Sequence, residues 1–315
     1  VLGSPPHFDP HLHAWILRRH ADVAEALHEP RLSIGGDGTA PVHGAEGRSA
    51  WRAAVETSVE AFVTALPFDE PIDLVRDLAR PWSLALAVRA AGARPTDADA
   101  LERLAREIFL AAACATDATT PPHAQAAVAA LATRLAAHAS RGDLAVQAFV
   151  ALSQTLPCFL AGAWRALFEH PDAARALRVE PALMGHAVEE LLRHAGPSHA
   201  VFRRAAGDVE IGGVRIAAGD RVILMLAEAN RDPSRFPNPN RLDLTRSDVR
   251  HVALGAGMHP CIGGAMVRAA VAAATGALLR ATTDVELDRG EVEWIGGFAI
   301  RGPGSLRVVL RRPMR

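Results

Sequence analysis

The segment Leu254-Gly255-Ala256-Gly257-Met258-His259-Pro260-Cys261-Ile262-Gly263-Gly264 constrains this chain more than any other. It sets a cysteine in a glycine-rich loop just after a His-Pro pair, and an alanine-rich apolar segment of helical character carrying Arg268 follows. Glycines let backbone N–H groups turn toward a sulfur, so such a loop can present a thiolate to a metal. Axial ligation of a haem iron by cysteine needs this kind of presentation. Gly255-Ala256-Gly257 is not a dinucleotide fingerprint, because Met-His-Pro follows and the third glycine is missing. A zinc site recruiting His251, His259 and Cys261 lacks a second Cys-x-x-Cys pair. A structural glycine loop with an inert cysteine is the remaining alternative.

Met184 to Ala195 reads as a helix stopped by Gly196-Pro197. Glu190 and Arg193, three apart, share one of its faces. Val209-Glu210-Ile211 and Val214-Arg215-Ile216 flank Gly212-Gly213 as a hairpin, and a further strand is expected from Arg221 to Leu226. Near the start, Ala14 to Arg19 reads as a strand and His20 to Glu29 as a helix. Asp77–Ala91, Thr96–Ala113 and Ala124–Ala139 have apolar residues at helical spacing, with Thr96 a candidate cap. Ala145 to Trp164 carries no charge, a length that could span a bilayer. Its Gln147, Ser153, Gln154, Thr155 and Pro157 suit a buried helix better, and Pro157 is expected to bend it.

The cysteine loop closely resembles the haem-binding signature of the cytochrome P450 family, Phe-x-x-Gly-x-x-x-Cys-x-Gly, with Leu254 in place of the aromatic. Glu190 and Arg193 match its Glu-x-x-Arg motif, and Arg246 stands where the family places, in a later meander, the arginine that joins this pair. Ala229-Asn230-Arg231-Asp232-Pro233 and Phe236-Pro237-Asn238-Pro239 resemble the loop before that meander. The resemblance is dense from about Val188 to Arg268. It implies a mainly α fold with small β-sheets (α+β) in a single domain over 1–315. The N-terminal region, an early loop (Ile34 to Gly47) and the stretch before the central helix would be shortened.

The resemblance also implies haem b bound through Cys261, with Gly255 and Gly257 in the cofactor loop and Arg52, Arg203 and His259 toward the propionates. Arg48 would stand where the family has a histidine. Ala151-Leu152-Ser153-Gln154-Thr155 falls on the family's oxygen-activating motif, usually Ala-Gly-x-Glu/Asp-Thr. Thr155 survives, Gln154 replaces the acid, and Leu152 is expected to crowd the groove beside the iron. Glutamine orders water but is no useful acid at neutral pH. Ser198 to Val201 and Phe298 to Ile300 would line the pocket.

The implied activity is a monooxygenase acting on a small organic substrate in bacterial secondary metabolism, with a ferredoxin-type electron donor. Alternatives are a peroxide-driven or non-oxygenating haem-thiolate enzyme, and a non-catalytic helper of a partner enzyme. The shortened pocket would be open, or closed by a partner enzyme or self-association.

Composition narrows the classes. The chain has 315 residues, is 50% hydrophobic and carries a net charge of -1, which gives no sign of nucleic acid. It lacks lysine and tyrosine, which excludes a lysine Schiff base or tyrosine acid and, with the abundant alanine, fits a high-GC bacterial source. Three scattered cysteines (Cys114, Cys158, Cys261) argue for a reducing cytoplasm over a disulfide framework. Val1 to Pro6 has neither the basic start nor the apolar core of an export signal. His7, Asp9, His11 and His13 read as surface residues more readily than as a metal cluster.

Overall fold

Two long apolar helices form the spine of the protein. This computed structural model describes residues 3–34, 48–117, 119–136 and 142–312, leaving aside the side chains of 48–54 and 142–144. The central helix runs without a break through Gly142–Val150, Ala151–Thr155 and Leu156–Glu169. It therefore extends beyond the Trp164 limit of the uncharged run. Its Leu152, Leu156, Phe159, Leu160 and Trp164 sit in the main core with Val271, Ala274 and Leu278 of the helix Gly264–Ala281. Trp164 Nε1 donates to Thr275 Oγ1 at 3.1 Å, satisfying a buried indole where the two helices meet. Both helices are long and apolar enough to cross a membrane; the first has 61% of its most apolar window packed inside the protein and the second 44%.

Pro157 changes the central helix in a specific way. Residues Ala151–Thr155 form a wide π turn, with Leu156 N–H bonding to Ala151 O. The same device recurs where the helix expected from Asp77 begins. Val75–Ala79 is a π turn, Arg80 N–H bonds to Val75 O, and Pro81 opens the helix Arg80–Ala90. A proline lacks the N–H and its ring collides with the carbonyl four residues back, so a wider turn ahead of it relieves both problems. The two widened regions pack against each other's helices.

A five-stranded sheet flanks the helices in the order His7–Asp9, Ala14–Leu17, Arg221–Leu224, Val201–Ala205, Leu32–Ser33. Ala14–Leu17 runs parallel to Arg221–Leu224, and the other pairs are antiparallel. The expected strand from Arg221 ends at Leu224, because Leu226–Ala229 turns helical once Met225 N–H has bonded Leu17 O at 2.9 Å. The helix His20–His28 and the hairpin Val209–Ile211/Val214–Ile216 form as expected. Gly212 and Gly213 adopt φ of 58° and 81°, as a two-residue turn with both centres left-handed requires.

Thr96 does not cap its helix. Pro95–Asp97 forms a 3₁₀ turn ahead of Ala98–Cys114, and Arg94 Nε holds the Asp97 carboxylate at 3.0 Å. The helix expected over Ala124–Ala139 spans Pro122–Leu135; residues 137–139 lie outside the described residues.

Candidate functional site

The helix Met184–Ala195 has the bounds read from its sequence. Its inner face carries Glu190 and Arg193, both side chains fully excluded from solvent. Arg193 Nε donates to Glu190 Oε2 and Nη2 to Oε1, both at 2.7 Å. The remaining donors of Arg193 reach the carbonyls of Asn230 (2.9 Å), Pro239 (2.9 Å) and Arg241 (3.2 Å). Arg246 Nε lies 3.3 Å from Glu190 Oε2, and the Asp243 N–H donates to Oε1 at 3.0 Å. One buried ion pair thus fixes the irregular segment 230–246, which has few backbone hydrogen bonds of its own to hold it.

Phe236, fully buried, was not singled out by sequence. The guanidinium carbons of Arg235, Arg193 and Arg246 lie 4.9, 5.3 and 5.9 Å from its ring centre. A lone aromatic in a Pro- and Asn-rich stretch was the available signal. Asn230 was also missed in this role: its Oδ1 accepts the Val252 N–H at 2.8 Å, joining the meander to the start of the cysteine loop.

The loop around Cys261 is closed by its own backbone. Cys261 N–H donates to Leu254 O at 2.8 Å, and Cys261 O accepts from Gly264 at 3.1 Å where the following helix starts. Gly255 and Gly257 both have φ of 67°. Gly257 is pressed against the backbone of Leu27, so close that a Cβ there would overlap the Leu27 carbonyl oxygen. Its small size therefore serves the seating of the loop on the end of the helix His20–His28.

Cys261 is solvent-accessible on the loop, whereas Cys158 is buried. Burial raises the Cys261 thiol pKa, while the Gly263 N–H and the charge of Arg268 act to stabilise the thiolate. Burial pushes Cys158 up to about 12, which leaves it an inert core thiol. No group of three or more His, Cys, Asp or Glu side chains able to hold a metal ion occurs among the described residues, so neither the His251/His259/Cys261 set nor the N-terminal histidines form such a site.

Arg203 lies on the strand Val201–Ala205 and is only 6% exposed. Its Nη1 donates to Phe202 O at 2.8 Å, and no carboxylate among the described residues pairs with it. Burial lowers its pKa. His259 is close enough that Arg203, after burial, lowers the imidazole pKa. A buried guanidinium beside a histidine, without a protein carboxylate, calls for an anion. Arg52 belongs to the helix Arg48–Thr64, but its side chain and that of Arg48 lie outside the described residues, as does most of the early loop.

The π turn of the central helix separates its residues by face. Ala151 is exposed and Thr155 half-buried, whereas Leu152 and Gln154 are buried. Leu152 packs among the residues of the main helical core. Gln154 Nε2 faces Ser153 Oγ at 3.5 Å, and its backbone carbonyl accepts from Cys158 Sγ at 3.3 Å. Thr155 makes no side-chain hydrogen bond among the described residues. Ser198 bridges Ile300, His199 N–H donates to Ala299 O at 2.7 Å, and Phe202 stacks on Phe298 at 6.4 Å. The two segments expected to line a pocket are thereby joined, with Ile300 packed near Val150 and Cys158 of the central helix.

A mainly helical fold, a thiol in a backbone-closed glycine loop, and near His259 of that loop a buried arginine with no carboxylate partner among the described residues suit a protein of the haem-thiolate class. A sequence model of the cytochrome P450 family matches residues 179–291. The chain is 40% identical over 166 residues to the cytochrome P450 monooxygenase PikC of Streptomyces venezuelae, a segment covering 52% of this chain and 40% of that protein. It is 40% identical over 154 residues to a 20-oxo-5-O-mycaminosyltylactone 23-monooxygenase of Streptomyces fradiae, covering 47% and 37%. These aligned segments span about two fifths of the curated relatives. The crystal structure of P450BioI in complex with an acyl carrier protein bearing hexadec-9Z-enoic acid shares the fold, at a TM-score of 0.83 and 21% identity, covering 98% of this chain and 95% of that one. The chain thus matches the cytochrome P450 family over residues 179–291 and shares the fold of a solved P450 structure.

Members of this family bind haem b through a cysteine thiolate. The residues present fit that group: Cys261 offers the sulfur, Arg203 offers positive charge for its carboxylates, and the neutral His259 ring offers a hydrogen bond.

Proposed function

We propose that this protein is a haem-thiolate monooxygenase that oxidises a small organic substrate in bacterial secondary metabolism, working in the cytoplasm as a single domain with a ferredoxin-type electron donor. The observation that carries this reading is the accessible Cys261 in its backbone-closed loop, with a buried Arg203 near His259 of that loop and no carboxylate partner among the described residues. The Streptomyces monooxygenases matched over part of the chain support the reaction class. Bound haem supplies the site for oxygen activation, and a thiolate ligand favours O–O cleavage.

The chain's own groups then have distinct tasks. Cys261 presents its sulfur, Arg203 neutralises a carboxylate, and His259 donates a hydrogen bond to one. Ser198 to Val201 and Phe298 to Ile300 form a wall, polar only at Ser198 and His199, that orients substrate and excludes water. Thr155 Oγ1, without a hydrogen-bond partner among the described residues, is the group available to order a water and pass a proton. Gln154 is buried beside Ser153 and has no proton to give at neutral pH. That observation favours a second reading, in which peroxide drives the oxidation or the reaction is a non-oxygenating dehydration or rearrangement.

Reduced, CO-treated protein should show the absorption band of a thiolate-ligated haem, lost in Cys261→Ser and kept in Cys114→Ser and Cys158→Ser. Retention of the band in Cys261→Ser overturns the assignment. Product formed per electron consumed, with a ligand that shifts the Soret band, separates the two readings. Gln154→Glu should raise that ratio if Thr155 and its water serve a proton relay. Turnover with peroxide alone, unaffected by this change, supports the second reading.

A further inference from the structure

Glu189 and Glu190 are neighbours on one helix, yet they hold different parts of the protein. Glu190 faces the meander, as described above. Glu189 faces the cysteine loop. Its Oε1 accepts from Arg268 Nε at 2.5 Å and its Oε2 from Arg268 Nη2 at 2.9 Å, a two-bond pairing with the helix that follows Cys261. The same Oε2 lies 3.2 Å from Nε2 of His251, on the chain leading into the loop. The His251 side chain is 4% exposed, and its Nδ1 accepts the Ala253 N–H at 3.2 Å. That bond leaves the ring proton on Nε2, directed toward Glu189. Among the described residues Nε2 has no other partner, and its approach to the carboxylate is off the axis of an ideal hydrogen bond.

One carboxylate therefore grips the chain on both sides of Cys261. Between these anchors lie Gly255, Gly257, Gly263 and Gly264, so the intervening chain is intrinsically loose. Arg268, oriented by Glu189, is also the charge that favours the Cys261 thiolate. We propose that Glu189 is a positioning residue that, through His251 and Arg268, holds the Cys261 loop in its ligand-presenting form. The inference rests on the reading of Cys261 as the haem ligand. Burial raises the Glu189 carboxyl pKa, but its contacts with His251 and Arg268 outweigh this and hold it at about 2, so the anchor is ionised at neutral pH.

The test uses the full chain in a Cys114→Ser background, leaving Cys261 as the accessible thiol. In haem-free protein, the rate at which an aromatic disulfide reagent modifies Cys261 reports the order of the loop. Glu189→Gln should raise this rate by about tenfold, the effect of losing one charged hydrogen bond. Glu60→Gln, which removes an exposed partner of Arg280 on the same helix as Arg268, should leave it unchanged. In haem-loaded Glu189→Gln, part of the reduced-CO absorption should move to the position of a neutral thiol ligand. Arg268→Lys should recover part of the thiolate band relative to Arg268→Gln. If Glu189→Gln does not fold, His251→Gln and Arg268→Gln each sever one arm and should each accelerate thiol modification. Parental thiol rates in all the variants that sever this contact overturn the proposal. A parent without the thiolate band overturns the haem-thiolate reading instead, while the thiol rates of the haem-free protein still report whether Glu189 orders the loop.

Discussion

Glu190 and Arg193 form two parallel hydrogen bonds of 2.7 Å while both side chains are completely shielded from water. Such a pair contributes little net stability against an apolar equivalent, but losing one partner strands the other charge. What the pair provides is direction. Arg193 reaches three carbonyls of the meander, and Glu190 collects Arg246 and the Asp243 N–H.

Glu190→Ala should therefore cost about 3–5 kcal/mol, the range for breaking a buried pair on one side. Soluble yield and the denaturant midpoint measure it. A variant that melts with the parent would show that the meander is held by other contacts.

Gly257→Ala should destabilise the cysteine loop specifically. The left-handed backbone alone costs about 1–2 kcal/mol for a residue with a side chain. The overlap with Leu27 adds to that, because backbone atoms cannot move aside as a flexible side chain can. Haem retention should fall together with the melting temperature. Full retention at an unchanged melting temperature would place the loop away from Leu27.

Arg203→Gln should separate haem binding from fold stability. Removing an uncompensated buried charge should leave the haem-free protein as stable as the parent or more so. Haem affinity should fall about tenfold, the effect of losing a charged hydrogen bond. Equal losses in melting temperature of the haem-free protein and in affinity would assign Arg203 to the scaffold.

Acid should weaken the fold through His194 and His199. Burial, then the charges of Arg231 and Arg193, lowers His194 to about 3. Burial, then Arg301 and Arg231, lowers His199 to about 4. An unfolded histidine takes a proton near its ordinary value of 6.5, whereas these two stay neutral in the folded protein. Their contribution is thus complete above 6.5 and declines as pH falls toward those lowered values. The His194→Gln variant should show a smaller loss of stability between neutral pH and pH 4, read by urea unfolding. An unchanged slope would mean that His194 is protonated in the folded state.

Features governed by neighbours in the chain were readable from sequence. The bounds of Met184–Ala195 follow from helical spacing and the Gly196-Pro197 stop. The Gly212-Gly213 hairpin follows from a turn that only left-handed residues accommodate well. The Cys261 loop announced itself because few chemistries need a cysteine among glycines. Residues matched through the family's motifs, Glu190 with Arg193 and Arg246, meet in space at hydrogen-bond or ion-pair distance.

Other features depend on which surfaces meet through space, and there the sequence was silent or misleading. Pro157 announced a disturbed helix, but only the packed core decided that it would be a π turn, in which Leu152 is buried while Ala151 and Thr155 stay accessible. The parallel pairing of Ala14–Leu17 with Arg221–Leu224 joins segments far apart in the chain. The grip of Glu189 on His251 and Arg268 likewise exists only once helix, loop and helix have been brought together. Local propensity sets a residue's backbone, whereas the partner of a charge is set by tertiary packing. The sequence by itself therefore determined the helix, the hairpin and the presence of a cysteine loop; tertiary structure decided how that loop is anchored and which side of the central helix stays open.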